Sequence, residues 1–167
     1  MKLCRLFVKK LSGLAKIPTK AEYGEDKQFG IDFYALESVL IEPRSMGFVR
    51  TGVAVQIINN ITHQSLGLIL KDKSGIACRK GLHCFAGVID ADYTGEILAG
   101  FFNMTDQPVV INAGDPCIQG IVIPIFSTDI VEVDHLEVTI RGDKGFGSSY
   151  MGGDVKSADI ADVDKEK

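Results

Sequence analysis

Short apolar runs recur along this chain, and turn-forming residues close each one. Runs at 39–41 and 48–58 flank Glu42-Pro43-Arg44-Ser45-Met46-Gly47, and further runs follow at 66–70, 82–89, 97–102, 109–111, 118–126 and 131–140. The breakers between them include Asn59-Asn60, Lys71-Asp72-Lys73-Ser74-Gly75, Thr105-Asp106-Gln107-Pro108 and Asn112-Ala113-Gly114-Asp115-Pro116. Helical spacing of apolar positions is hard to find. Many short strands at near-regular intervals predict an all-β sandwich or barrel. The chain has 167 residues, 46% of them hydrophobic, enough for one domain with a full core. Some runs, such as Gly120-Ile121-Val122-Ile123-Pro124-Ile125-Phe126, are apolar at almost every position. A strand wet on one side alternates, so such a run predicts burial on both faces, and hence a subunit interface.

The net charge of -4 gives no basic surface for nucleic acid. A phosphate ligand needs only a local group of donors and stays compatible with that charge. Met1-Lys2-Leu3-Cys4-Arg5-Leu6-Phe7-Val8-Lys9-Lys10 alternates and carries charge, so it reads as a strand and not as a secretory leader. No apolar run approaches membrane-spanning length, so no membrane partner is expected. Cys4, Cys78, Cys84 and Cys117 form no CxxC pair and read as reduced, mostly buried thiols in a cytoplasm-like compartment, with no zinc site. From Arg141 onward glycine, serine and charge predominate, and a mobile tail is expected.

Five segments hold residues suited to chemistry. In Gly87-Val88-Ile89-Asp90-Ala91-Asp92-Tyr93-Thr94-Gly95-Glu96-Ile97 a β-branched pair leads into an acidic turn, then an aromatic ring, then a new strand. Asp90 ends an apolar strand, where its carboxylate is placed to take a proton from water or bond a sugar hydroxyl. The same run also reads as an ordinary β-turn of acidic turn formers. Lys73-Ser74-Gly75 combines a cation, a hydroxyl and a glycine that lets backbone N–H groups approach a phosphate, or it is a polar loop. Gln119 interrupts an apolar run; its amide either ties neighbouring backbone together or points at a ligand. In Arg141-Gly142-Asp143-Lys144-Gly145-Phe146-Gly147, Arg141 offers a fork of donors to a terminal phosphate. Phe146 sits between glycines in a polar stretch, as a ring that can stack on a planar base. Asp32 lies among apolar neighbours, where a carboxylate needs a partner: water of a metal's outer shell, or an ion pair with an arginine.

These segments, in this order from about Phe29 to Ser149, resemble the five signature motifs of the homotrimeric dUTP pyrophosphatases (dUTPases). The resemblance implies a jelly-roll trimer whose three active sites each draw on all three chains. It implies hydrolysis of dUTP to dUMP and pyrophosphate by attack of water on the α-phosphorus, with Mg²⁺ as cofactor. That activity keeps uracil out of DNA and supplies dUMP. The implied roles follow position by position. Asp90 activates the water. Lys73, Ser74, Gly75 and Gln119 line the phosphates. Asp32 reaches the metal through water. Gly87, Val88 and Ile89 read the uracil edge through the main chain, and Leu98 completes the substrate site. Tyr93 packs on the deoxyribose and excludes UTP. Arg141 grips the γ-phosphate, while Phe146 and Gly147 belong to the flap that caps uracil. The implied organisation is a β domain over 1–140, a flap over 141–153 and an acidic tail over 154–167.

Four positions depart from the family pattern: Lys73 for arginine, Phe29 for alanine, Phe85 for a small residue near the uracil hairpin, and Lys144 for glycine. Two other readings stay compatible with the sequence. One is a dCTP deaminase relative or a bifunctional deaminase/dUTPase; the other is a nucleotide-regulated binding module without catalysis.

Overall fold

A computed structural model describes residues 3–20 and 29–143, and among these it contains eleven strands and one short helical turn. The strands are β1 (Cys4–Lys10), β2 (Ile31–Tyr34), β3 (Val39–Ile41), β4 (Met46–Arg50), β5 (Val53–Asn59), β6 (Gly67–Asp72), β7 (Leu82–Phe85), β8 (Val88–Ile89), β9 (Leu98–Asn103), β10 (Val109–Ile111) and β11 (Pro116–Ile123). All pairings are antiparallel, in four sheets: β1-β5, β10-β3, β2-β11-β6-β8 and β4-β9-β7. The all-β expectation holds among the described residues. The helical turn, Gly75–Arg79, is a π-turn in the Lys73 loop, anchored by the buried Ile76.

Alternation explains which side chains enter the core. Phe33 and Ile31 of β2, Leu68 and Leu70 of β6, and Leu82 and Cys84 of β7 point inward at every second position. Phe33, Phe101, Ile41, Ile97, Ile111 and Ile118 are sealed from solvent. Truncating one such phenylalanine costs about 3–5 kcal/mol in comparable cores. Asn103 is buried with its amide fully used: Nδ2 donates to the carbonyls of Ile41 and Gln107, and Oδ1 accepts from Thr105. It ties β9 to the loops beside it, and a buried amide requires such partners.

Three expectations need correcting. The 48–58 run is two strands, because the chain turns at Thr51-Gly52, where Gly52 has φ +68. The 82–89 run is likewise two strands, broken at Ala86 (φ 52). β7 therefore joins β9 while β8 returns to β6. The run 131–140 forms no strand among the described residues. A strand needs a neighbour's N–H and C=O groups, and no described strand pairs with this segment. Its apolar side chains, among them Leu136, Val138 and Ile140, stand in solvent.

The chain divides into two units, Met1–Ser127 and Thr128–Lys167. The first contains all eleven strands. In the second, the described part lacks regular structure and ends in a turn where Gly142 N–H donates to the Thr139 carbonyl. The expected double burial of the 120–126 run is not met within one chain: Ile125 is 48% exposed and Phe126 78%. Two of the four thiols are buried, Cys84 and Cys117; Cys78 is exposed and Cys4 half-buried, and none is in a disulfide.

Candidate functional site

The register of one sheet gathers the first group of candidates. Gln119 on β11 lies opposite Asp32 on β2 and opposite Lys71 on β6. Directly opposite residues share a sheet face, so Asp32, Gln119 and Lys71 form a row across three strands. Lys73 lies two residues beyond Lys71, and its Nζ reaches Asp32 Oδ1 at 2.5 Å. The ion pair weighed for Asp32 therefore exists, but with a lysine and not an arginine. Both side chains are largely covered, 24% and 19% exposed. Gln119 Nε2 donates to the Asp72 carbonyl at 2.7 Å. One of its two amide protons is thus committed to backbone, and the second remains for a ligand. Gly30 is required beside it, since a Cβ there would strike the Gln119 amide. The N–H groups of Ile76 and Ala77 both turn back to the Lys73 carbonyl, at 2.9 Å each. That leaves Ser74 and Gly75 at an exposed apex with open space around Gly75. Two lysines, an amide and a solvent-facing Ser-Gly turn make a site suited to a polyphosphate anion.

The second group sits at the other end of β6. Leu68 pairs with Ile89 and Ile69 with Val88, and Leu70 N–H donates to the Gly87 carbonyl at 2.7 Å. A side chain at 87 would collide with the Leu70 carbonyl, so only glycine fits. β8 is terminal in its sheet. Because backbone groups alternate along a strand, those of Gly87 face β6 and those of Val88 face the open edge. Asp90 follows, exposed, and its carbonyl accepts from Tyr93 N–H at 3.2 Å to close the turn. Tyr93 hydroxyl donates to the Glu96 carbonyl at 3.0 Å, which lays the ring over Gly95. The ring stays 43% exposed. Ile89, Asp90, Ala91 and Tyr93 edge a narrow cleft against Val55, Ile57, Leu66 and Leu68, with room for about one water molecule.

The base of this hairpin is pinned by residues that the sequence reading did not single out. Glu96 accepts from Arg50 Nε, which is shared between both carboxylate oxygens, from Arg50 Nη2 and from Gly52 N–H. The adjacent Glu96 carboxylate, by hydrogen bond and then by charge, raises the Arg50 guanidinium above its usual range. Thr51 hydroxyl donates to the Ile97 carbonyl at 2.6 Å. Arg50 and Glu96 are 46 positions apart, so no local pattern could have linked them. Leu98 opens β9 opposite Arg50 and is 42% exposed. Phe85, unusual at its position, stacks edge-on against Phe48 at 5.5 Å, above Gly100.

Within one chain the two groups do not meet. From Asp90, beyond the Leu68–Ile89 pair, to Lys73 at the far end of β6 spans six residue steps, roughly 20 Å at strand rise. Arg141 lies in the second unit. Phe146, Gly147 and Lys144 lie outside the described residues.

The dUTPase family model matches residues 15–150. The deoxyuridine 5'-triphosphate nucleotidohydrolase of Hydrogenobaculum sp. is 33% identical over 150 residues, covering 88% of this chain and 99% of that protein. The probable enzyme of the same name from Schizosaccharomyces pombe is 35% identical over 143 residues, covering 86% and 96%. Among solved structures, a mutant dUTPase of Staphylococcus bacteriophage 80alpha with dUpNHpp superposes with a TM-score of 0.74 at 26% identity, covering 87% of this chain and 98% of that one. The chain belongs to the dUTPase family.

Proposed function

We propose that this chain hydrolyses dUTP to dUMP and pyrophosphate, as a homotrimer whose sites are shared between copies. The carrying observation is the separation of Asp90 and Tyr93 from Lys73, Ser74 and Gln119 by most of the length of β6. A nucleoside triphosphate cannot put its α-phosphorus beside the first group and its phosphates on the second across that span. A neighbouring copy that brings its own Lys73 loop to this chain's Asp90 satisfies both. Exposed apolar surface supports association: on β4 and β9, Met46, Phe48, Leu98 and Phe102 are all exposed, and Ile125 follows β11.

In this reading, Val88 main-chain groups at the open edge of β8 hold the uracil edge, with Gly87 and Ile89 fixing the strand. A main-chain slot rejects cytosine by its donor pattern and thymine by its methyl. Tyr93, laid flat on Gly95, packs on the deoxyribose and leaves no room for a 2′-hydroxyl. Leu98 borders the same pocket. Asp90 takes a proton from the attacking water as it approaches the α-phosphorus, and pyrophosphate departs. Lys73, the Ser74-Gly75 apex and the remaining amide proton of Gln119 neutralise and orient the phosphates, so placement and charge supply most of the rate. Arg141 binds the γ-phosphate, and a flap over 141–153 carrying Phe146 and Gly147 closes over uracil, with 154–167 as a separate tail.

The donors fit Mg²⁺ in one manner. Among the described residues no group of three or more His, Cys, Asp or Glu side chains could hold a metal ion. The ion would thus take its oxygens mainly from the triphosphate and water, with the Asp32 carboxylate in its outer shell. When bound it supplies charge neutralisation on the phosphates. No helix among the described residues is long and apolar enough to cross a membrane, and we assign the activity to the cytoplasm, without a nucleic-acid partner.

The test is to incubate the purified chain and Mg²⁺ with each deoxynucleoside triphosphate in turn. Pyrophosphate released from dUTP alone is the expected result. Ammonia from dCTP would favour the deaminase reading, and binding without turnover would favour a regulatory module. Sedimentation should give three chains per particle.

A further inference from the structure

One cluster beside the phosphate loop has no role in the scheme above. Asp72 ends β6, immediately before Lys73. Its Oδ2 pairs with His83 Nδ1 at 2.7 Å, and its Oδ1 accepts from the Cys84 N–H at 2.6 Å. Its main-chain carbonyl accepts from Gln119 Nε2. His83 and Cys84 lie on β7, beyond the π-turn. Asp72 therefore closes the base of the segment 73–82, which carries Lys73, Ser74 and Gly75 at its start. The same residue fixes the Gln119 amide from the adjacent strand.

The cost of the arrangement argues that it has a use. The Asp72 carboxylate is drawn down to 18% exposure, which requires compensating donors. β6 and β7 belong to different sheets, β6 with β11 and β8, β7 with β9 and β4. The Asp72 bonds thus join the two sheets at the point where the Lys73 loop leaves one and returns to the other. His83 is the outer part of the clamp, 57% exposed. It packs no core, so its contribution is to hold Asp72 in the rotamer that serves Cys84.

We propose that Asp72 and His83 are positioning residues for the phosphate half of the site, a clamp that sets the Lys73-Ser74-Gly75 apex and the Gln119 amide in one geometry. This rests on the functional reading above. Neither residue touches the reacting atoms; their effect passes through the loop and through Gln119. The clamp acts on the phosphates alone, because the uracil and sugar contacts lie at the opposite end of β6.

The experiment compares two ligands on the full chain: dUpNHpp, which presents the triphosphate, and 2′-deoxyuridine, which lacks it. In His83→Ala the clamp loses its outer donor at an exposed position, so the fold survives. Affinity for dUpNHpp should fall about tenfold, a change of roughly 1.4 kcal/mol, while deoxyuridine binding followed by NMR shifts changes less than about twofold. His83→Gln, which keeps a donor, should restore most of the loss. Asp72→Asn keeps one acceptor and loses the charge, and should fall between the two. Equal weakening of both ligands, or dUpNHpp binding unchanged in His83→Ala, would overturn the clamp. If the unaltered chain binds neither ligand, the functional reading itself fails, an outcome distinct from loss in the variant alone.

Discussion

Lys73 Nζ lies against Asp32 Oδ1 across 41 positions of sequence, joining β2 to the loop that follows β6. The two strands are not neighbours; β11 runs between them. The pair bridges over Gln119, which sits opposite Asp32 in the register. A candidate metal-shell carboxylate and a candidate phosphate cation are thus already partners before any ligand arrives. A phosphate bound at this loop would compete with Asp32 for the Lys73 ammonium.

Lys73→Ala should raise the KM for dUTP at least about tenfold, because both a phosphate donor and the partner of Asp32 are lost. The stability cost should be about 1–3 kcal/mol, more than for a surface pair, since Asp32 is left largely covered without its partner. Lys73→Arg keeps the charge and adds a fork, so KM should hold or fall. Steady-state pyrophosphate release with thermal melts of each variant checks both.

Asp90→Asn should fold and bind dUpNHpp with little change, because the Asp90 side chain is exposed and it is its carbonyl that closes the turn. Its kcat should fall by roughly 10²–10⁴ with the base removed. Near-normal turnover would remove Asp90 from the mechanism.

Gly95→Ala tests how Tyr93 is seated. A Cβ at 95 would enter the Tyr93 ring, with Cζ only 2.5 Å away. The ring must lift and break its bond to the Glu96 carbonyl. The hairpin base, held by Arg50, Gly52 and Thr51, should keep the fold. We expect selectivity for dUTP over UTP to drop several-fold, about 1 kcal/mol or more, measured as a ratio of kcat/KM values. Unchanged selectivity would free Tyr93 of that role.

The thiols give a pH prediction. Burial pushes Cys117 up to about 12, and burial, then the Asp72 hydrogen bond, raises Cys84. At pH 8 only about one Cys117 in ten thousand is thiolate, so alkylation of the native chain should spare it while exposed Cys78 reacts. The sign for stability follows. Above about pH 8.5 the unfolded chain releases this proton and the folded chain keeps it, so stability falls as pH rises toward 12. Chemical denaturation at pH 8 and pH 10 should show the loss, and Cys117→Ala should reduce its slope.

The strand positions were legible in the sequence to the extent that they were local. Residues 39–41 and 109–111 stand as read, since β-branched runs between turn formers have one way to bury a face. The breaks at Thr51-Gly52 and Ala86-Gly87 were hidden inside apolar runs, because a bend there is set by which sheet each half joins. The segment 131–140 has strand chemistry and no partner in the described chain. Lys73, Asp90 and Tyr93 could be chosen from local pattern and resemblance. Arg50, Asp72, His83 and Glu96 could not, since their partners are far away or their single letters carry no signal.

From sequence alone came the all-β class, the candidate residues and the family resemblance, because alternation and turn chemistry act over a few neighbouring positions. Tertiary structure decided who meets whom. Register across β2, β11 and β6 brought Asp32, Gln119 and Lys73 together, and the return of β8 to the start of β6 carried Asp90 to the opposite end. Strand pairing is settled by the whole core at once, so no short stretch of letters contains it.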